Sequence, residues 1–463
     1  MAISSDKTPT YKIGDIEVLI DAGERGPGEP VEFGALVTQL DIFQNLGNPY
    51  VTARIMYTDS ANFSNAVNIL GQEKVTIIMK DTEGEVLLQK YFFVTSLELS
   101  QKVGDDKSVN VMSLAEEHLL LNNSTRFSKT YEGKPSDICN RICFEQLGVN
   151  VRVSEPAEQK EMRVIIPYTM TPLNAAQWMA KRCTIQKGIP YLFYSKVSEQ
   201  NELRLDSLSS LLNKSAVNTG DPIIFGTLSY AKGSSGEDDD QIRKKITNYT
   251  IKSSENSLTA MIRNMYGGYY NWVNTIEDMV SYEYIHSLQE DLGKIPKPNR
   301  QNMPYNYDPQ FSIMGGRPYH EGQNTYTTQI TTGKLFEPTP LMSYAEEKTP
   351  QDHMNKATAR ALFAFLDQQP IDITLPATDF NFGFDVLGEM IEVEIPKDLP
   401  IITDENAKDT VDKKRSGKYL VCGLKHTVFG DVFNVVMTLT KIDTLSELGE
   451  EKNKLHGIGQ REY

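Results

Sequence analysis

Two stretches of this chain alternate apolar and polar residues with a period of two, and they do so in the same order. In residues 388–398 (GEMIEVEIPKD), Ile391, Val393 and Ile395 interleave with Glu392 and Glu394. That pattern predicts a strand with one apolar face and one carboxylate-bearing face. Leu420, Cys422 and Leu424 then alternate against Tyr419, Val421 and Gly423, and Phe433, Val435, Met437 and Leu439 against Asn434, Val436 and Thr438. Gly430-Asp431 between the last two runs predicts a tight hairpin turn, the glycine supplying a positive φ. The predicted unit is a β-meander. Its twin lies near the N-terminus, where residues 71–81 (GQEKVTIIMKD) align with 388–398, both closed by Lys-Asp. Residues 90–97 (KYFFVTSL) align with 418–424 (KYLVCGL) with one extra residue, and 109–114 (VNVMSL) with 433–439 (FNVVMTL) with one shift. Three strands recurring in one order point to a duplicated β domain.

The remaining periodicities fill in the chain. Strands are expected over residues 11–21, 31–43 and 50–57, the last with Val51, Ala53, Ile55 and Tyr57 on one face, and a short helix over 62–70. The period then changes. Residues 133–147 place Ile138, Cys139, Ile142 and Cys143 at helical spacing, with Pro135 early and Gly148 just past the end. A short strand follows at 164–167. Thr171-Pro172 opens a second helix, with Thr171 as N-cap and a buried face of Leu173, Ala176, Ala180 and Cys183. Residues 190–196 and 201–205 read as a hairpin, and 223–229 and 242–252 as strands. Residues 261–348 are rich in Tyr, Asn, Gly and Pro with little periodicity, which suggests an insertion packed on a neighbour. Thr349-Pro350-Gln351-Asp352 resembles a capped helix start, with Met354, Ala357, Ala361, Leu362 and Phe365 as its buried stripe.

The expected fold is therefore α+β but mostly β: two β-barrel domains built on the duplicated meander, an inserted small α/β module and a loop-rich insertion. The boundaries read as 1–117 for the first β domain, 118–212 for the module, 213–260 with 349–445 for the discontinuous second domain, 261–348 for the insertion and 446–463 for a tail. A chain of 463 residues fits such a division, since one core rarely supports that length.

Charge narrows the function. A net charge of −15 argues against gripping nucleic acid through its phosphates, though not against DNA passing a repelling wall. No signal-like pattern and no apolar run of roughly 18 residues is seen, so no membrane insertion is expected. Cys139, Cys143, Cys183 and Cys422 are too few and scattered for a disulfide framework, which points to a reducing compartment.

Candidate chemistry is sparse. No phosphate-binding glycine loop, His-Glu-x-x-His or Gly-x-Ser-x-Gly is present. His118, His286, His320, His353, His426 and His456 are spread singly. Cys139 and Cys143 lie one helical turn apart and could share a metal with Cys183, but without a second ligand pair they read better as core residues. Glu237-Asp238-Asp239-Asp240 lacks the ligand spacing of a calcium loop. Glu392 and Glu394 could be the paired acids of a glycosidase, but an exposed sheet face explains them more simply. No catalytic, cofactor-binding or metal residue is assigned, no cofactor is expected, and the chain is read as a non-enzyme.

One resemblance binds these pieces. The meander is followed by FSKTYEGKPSDICNRI (127–142), IPYTMTPLNAAQWMAKRC (166–183) and the YLFYSK hairpin (191–196). After these come IRNMYGGYYNW (262–272), the helix at Thr349, and LGEMIEVEIP with SGKYLVCGLKHT. This succession resembles the baseplate hub proteins of contractile-tailed bacteriophages, and is similar in plan to the N-terminal part of type VI secretion spike proteins. It covers about residues 10–445, with the 261–348 insertion as the departure. The resemblance implies a homotrimer in which each subunit supplies two tail-tube-like domains. Three chains would then form a pseudo-six-fold ring that adapts a hexameric tube to a trimeric spike. It implies as partners the spike protein, the tail tube protein or a tube initiator, and other baseplate and tape-measure proteins, within a virion tail assembled in host cytoplasm. DNA would pass without tight binding, along a wall where Asp, Glu, Asn, Ser and Thr outnumber Lys and Arg, Glu392 and Glu394 among them. A tail-tip cell-wall hydrolase and a host-surface adhesin are the alternatives.

Overall fold

The structure, a computed structural model, describes residues 13–60, 63–81, 84–102, 107–158, 161–185, 188–219, 222–225, 245–251, 269–274, 279–284, 312–313, 317–318, 326–331, 359, 370–376, 385–395, 411–412, 415–430 and 432–441. The N-terminal lobe runs β1 (Ile13–Asp21), β2 (Val31–Glu32), β3 (Val37–Asn45), β4 (Thr52–Asp59), α1 (Phe63–Val67), β5 (Lys74–Asp81), β6 (Val86–Lys102) and β7 (Ser108–Ala115). These strands are antiparallel neighbours in the order β3-β4-β7-β6-β5-β1-β2. Val51, Ala53, Ile55 and Tyr57 alternate into the lobe interior, each at most 2% exposed, as their period of two requires. Asp59 opens α1 by accepting the backbone N–H of Phe63 and Ser64 at 2.8 and 2.9 Å. Phe63 then stacks on Phe33, with Tyr57 edge-on to both. The single strand expected over 31–43 is broken at residues 34–36. There the chain crosses β1, Phe33 N–H donating to Val18 O at 2.9 Å, and a Cβ on Gly34 would meet Ile16 O at 2.5 Å.

The module follows as α2 (Glu117–Ser124), β8 (Lys129–Gly133), α3 (Pro135–Leu147), β9 (Asn150–Val153), β10 (Met162–Ile166), α4 (Pro172–Ala180), β11 (Thr184–Ile185), β12 (Ile189–Tyr194), β13 (Glu202–Ser207) and α5 (Leu208–Leu212). Helix α3 starts at Pro135 and ends on Gly148, whose φ of 69° turns its N–H back onto the carbonyls of Cys143 and Phe144. Helix α4 buries Leu173, Ala176 and Ala180 as its spacing predicts. Thr171 stands at its N-cap but its hydroxyl caps nothing. Asn122 Oδ1 of α2 accepts the Leu173 N–H at 2.8 Å instead, so a long-range partner has displaced the local one.

The chain continues with β14 (Ile223–Phe225), β15 (Lys245–Ile246), β16 (Asn248–Ile251), β17 (Tyr269–Asn274), β18 (Met279–Tyr284), β19 (Ser312–Ile313), β20 (Arg317–Pro318), β21 (Tyr326–Thr331), β22 (Pro370–Pro376), β23 (Met390–Glu394), β24 (Gly417–Phe429) and β25 (Val432–Lys441). Strands β17, β18 and β21 form a sheet of their own, so the 261–348 stretch holds more regular structure than its composition suggested. The acidic loop 233–240, the tail 446–463 and the Thr349 helix, apart from Ala359, lie outside the described residues.

Strands β23, β24 and β25 form the second meander, turning at Gly430 with φ of 56°. Ile391, Val393 and Ile395 are buried, at 0%, 3% and 1% exposure. The alternation expected for 419–424 fails. Between Val421 and Gly423 the register slips by one residue, a β-bulge, so Tyr419, Leu420, Val421 and Leu424 are all buried while Cys422 is only half-buried.

The same bulge occurs in the first meander, between Val94 and Ser96. Around it the backbone repeats bond for bond. Val94 N–H donates to Glu73 O as Val421 N–H donates to Glu389 O, and Val94 O receives Gln72 N–H as Val421 O receives Gly388 N–H. Gln72 and Gly388 share a positive φ, 71° and 76°. The structural equivalence is thus Gln72 with Gly388, one residue away from the Gly71–Gly388 match read from sequence. Strand β4 lies on β7 as β22 lies on β25, and β3 on β4 as β16 on β22. The two lobes also differ: β6 slips a second time between Leu97 and Leu99, where β24 does not, and β1 runs antiparallel to β5, whereas β14 runs parallel to β23.

Candidate functional site: the seam between the lobes

The two lobes are joined into one 14-stranded sheet by the pairing of β24 with β3, and β3 and β4 stand between the meanders. Strand β24 carries β23 along residues 417–420 and, beyond the bulge, β3 along residues 423–429. In this seam Ile42 lies opposite His426 and Asp41 opposite Thr427. Asp41 is 4% exposed and fully engaged: Thr427 Oγ1 donates to it at 2.7 Å, Gln39 Nε2 at 2.8 Å, and Lys425 Nζ lies 3.3 Å away. An aspartate in the middle of an apolar strand is costly to bury unless so paired.

The module locks the seam from the side through the loop after β12. Ser195 N–H donates to Asn48 O at 3.2 Å and Val197 N–H to Gln44 Oε1 at 3.0 Å, both on the β3 side. Lys196 Nζ reaches the other lobe, donating to Asp385 O at 2.9 Å with Glu389 3.7 Å away. Burial, with the nearby Arg204 charge, pushes the Lys196 ammonium below its usual range. Beneath it, Lys90 and Glu116 form an ion pair at 2.6 Å with side chains 3% and 7% exposed. Glu116 also accepts Val51 N–H at 2.7 Å and the Ser195 hydroxyl at 3.1 Å. His118 bonds Pro49 O at 2.8 Å. Both carboxylate oxygens of Glu116 are thereby engaged, one by Lys90 and the other by the Val51 backbone and Ser195.

The solvent face of the seam is mixed in charge. Arg54 lies 3.2 Å from Glu98, and Lys425 is held by Asp41. Phe43, Tyr50, Thr52, Asp372, Lys425 and Thr438 are among the residues lining an open cleft of about 310 Å³ there.

The residues weighed for chemistry are dispersed. Cys139, Cys143 and Cys183 are 0–1% exposed in the core between α3 and α4, and burial pushes the Cys183 thiol up. Among the described residues no group of three or more His, Cys, Asp or Glu is placed to hold a metal. Glu392 and Glu394 are half-buried rather than exposed, Glu392 lying 3.9 Å from Lys418 across the β23–β24 pair. His426 is 1% exposed and stacked on Phe433. Sequence reading missed Asp41, Lys90, Glu116 and Lys196. The available signal was a lone charge inside an apolar run, as in LDIF, QKYFF and YSKV.

No helix among the described residues is long and apolar enough to cross a membrane. No family model and no curated protein matches the chain. Solved structures do. The chain is similar to the 43 kDa tail protein of prophage MuSo2 from Shewanella oneidensis, with 11% identity, 92% of this chain and 97% of that one covered, and a TM-score of 0.49. It is similar to a tail protein from Neisseria meningitidis, with 10% identity, 92% and 96% coverage and a TM-score of 0.49. A third is an E. coli component of the type VI secretion system, itself described as similar to bacteriophage T4 tail proteins, with 10% identity, 92% and 77% coverage and a TM-score of 0.41.

Proposed function

We propose that this protein is a structural hub of a contractile phage tail baseplate, a homotrimer whose three chains present six similar lobes in a ring. The observation that carries the reading is the duplicated meander, repeated down to its bulge, its flanking hydrogen bonds and its positive-φ residue. A three-fold assembly can match a six-fold tube when each chain offers two near-equivalent surfaces. The ring would join a hexameric tail tube, or its initiator, to a trimeric spike, with other baseplate and tape-measure proteins around it. It would act by assembly, within a virion tail built in host cytoplasm. Its division into residues 1–117, 118–212, 213–260 with 349–445, 261–348 and 446–463 belongs to the same reading.

The ring would also line a DNA conduit. DNA carries roughly one charge per 1.7 Å of axis, and a basic wall would hold it by counterion release. On the seam's solvent face Arg54 and Lys425 sit beside Glu98 and Asp41, which fits a wall that does not hold DNA. Fluorescence anisotropy with duplex DNA at physiological salt tests this part: no binding at micromolar protein is expected, and submicromolar affinity would overturn it.

A further inference from the structure

Among the described residues, the seam inside one chain has at each end a counterpart that carries no second strand. Beyond its bulge, β24 carries β3, and Leu424 and His426 are 3% and 1% exposed. Strand β6 has the same bulge, and beyond it the corresponding edge carries no strand among the described residues. There Thr95, Ser96, Leu97, Glu98, Gln101 and Lys102 are all exposed, Leu97 at 44%. In the C-terminal lobe β16 occupies the place of β3. Ile251 lies opposite Ile371 of β22 as Ile42 lies opposite Ala53 of β4. The outer edge of β3 is covered by β24, and Ile42 is 1% exposed. Beyond β22, β16 meets no second strand among the described residues, and Ile251 is 39% exposed.

Resting on the trimer reading, we infer that β16 of one copy adds antiparallel to the free edge of β6 in the next copy, reproducing the internal seam between chains. Its two sides are different surfaces, so the contact is head-to-tail, and such a contact closes into a ring when its rotation allows. An open strand edge with an exposed leucine is a template for strand addition.

The register follows from the repeat. Thr427 lies opposite Asn434 on β25, and the equivalent of Asn434 on β7 is Val109. Because β6 slips a second time between Leu97 and Leu99, the residue opposite Val109, and so the counterpart of Thr427, is Gln101. The counterpart of Asp41 is Thr250, opposite Asp372 as Asp41 is opposite Arg54. Thr250 therefore faces Gln101, and Ile251 faces Ser100, across the boundary between copies.

The test is the full chain carrying Gln101→Cys and Thr250→Cys, oxidised mildly, with mass photometry and a non-reducing denaturing gel run on one sample. Covalent dimers and trimers that reductant dissolves, and that neither single variant gives, are expected. A trimer by mass photometry without these cross-links overturns the strand addition and leaves the trimer standing. Efficient cross-linking of Thr250→Cys with Lys102→Cys in place of Gln101→Cys overturns the register. A disulfide closed within one chain, or a chain that stays monomeric, overturns the inference, and the monomer overturns the trimer with it.

Discussion

The hydroxyl of Thr427 donates to the carboxylate of Asp41 at 2.7 Å, although 386 positions of sequence separate them. This bond fastens the two lobes at the centre of their shared sheet. Asp41→Ala would leave Thr427 and Gln39 without their acceptor, and Lys425 without its counter-charge. A loss of about 1–3 kcal/mol follows from stranding such partners. Denaturant unfolding should show a lower midpoint, and an unchanged midpoint would mean that the seam is held by its backbone pairing alone.

Gln72 and Gly388 offer an asymmetric pair of substitutions at equivalent positions. A non-glycine residue in the left-handed region costs roughly 1–2 kcal/mol. Gln72→Gly relieves that strain but adds freedom to the unfolded chain, so a stabilisation of up to about 1 kcal/mol is expected. Gly388→Ala acts in the opposite direction and more strongly, because its Cβ would also meet the Tyr194 hydroxyl at 3.1 Å and Leu46 Cδ2 at 3.4 Å. Thermal melts of both variants check the signs. Equal stability for Gly388→Ala and wild type would contradict the positive φ.

The second meander was legible where residues alternate strictly, as along 391–395. Ile391, Val393 and Ile395 could be assigned inward from sequence alone. Cys422 could not, since a bulge shifts the face of every residue after it and leaves no mark in composition. The duplication was visible as order, but its alignment was one residue off, because Gly71 drew the match while Gln72 holds the glycine-like turn. The seam was invisible. Pairing of β3 with β24 joins opposite ends of the chain, and its latch is a lone aspartate that local pattern treats as an interruption.

Val393 tests the inward face. At 3% exposure it lies in the core, so Val393→Asp should destabilise the C-terminal lobe by several kcal/mol, on the order of its whole stability. Glu392→Gln should change stability by less than about 1 kcal/mol, since Lys418 is half exposed and 3.9 Å away. Soluble yield and circular dichroism distinguish them. A folded Val393→Asp with wild-type stability would invert the assignment of faces.

Tyr194 should give the seam a pH signature. Burial, then the charge of Asp206, to which its hydroxyl donates at 2.6 Å, raise its pKa well above the ordinary tyrosine value. Its folded pKa exceeds its unfolded one, so its contribution is complete below about pH 10 and is lost as pH rises beyond it. Tyr194→Phe should therefore be less stable than wild type at pH 8, through loss of the bond to Asp206, and the gap should narrow above pH 10. A gap that is constant with pH would show that Tyr194 ionises as freely in the folded chain as in the unfolded one.

The central claim is that one chain supplies two equivalent lobes, so that three chains make a ring of six. Electron microscopy of the purified protein, averaged in end-on views, tests it most directly. The account predicts a particle of three 52.2 kDa chains with three-fold symmetry, six similar lobes and a central channel. A monomer without a channel, or a ring of six chains, would contradict it.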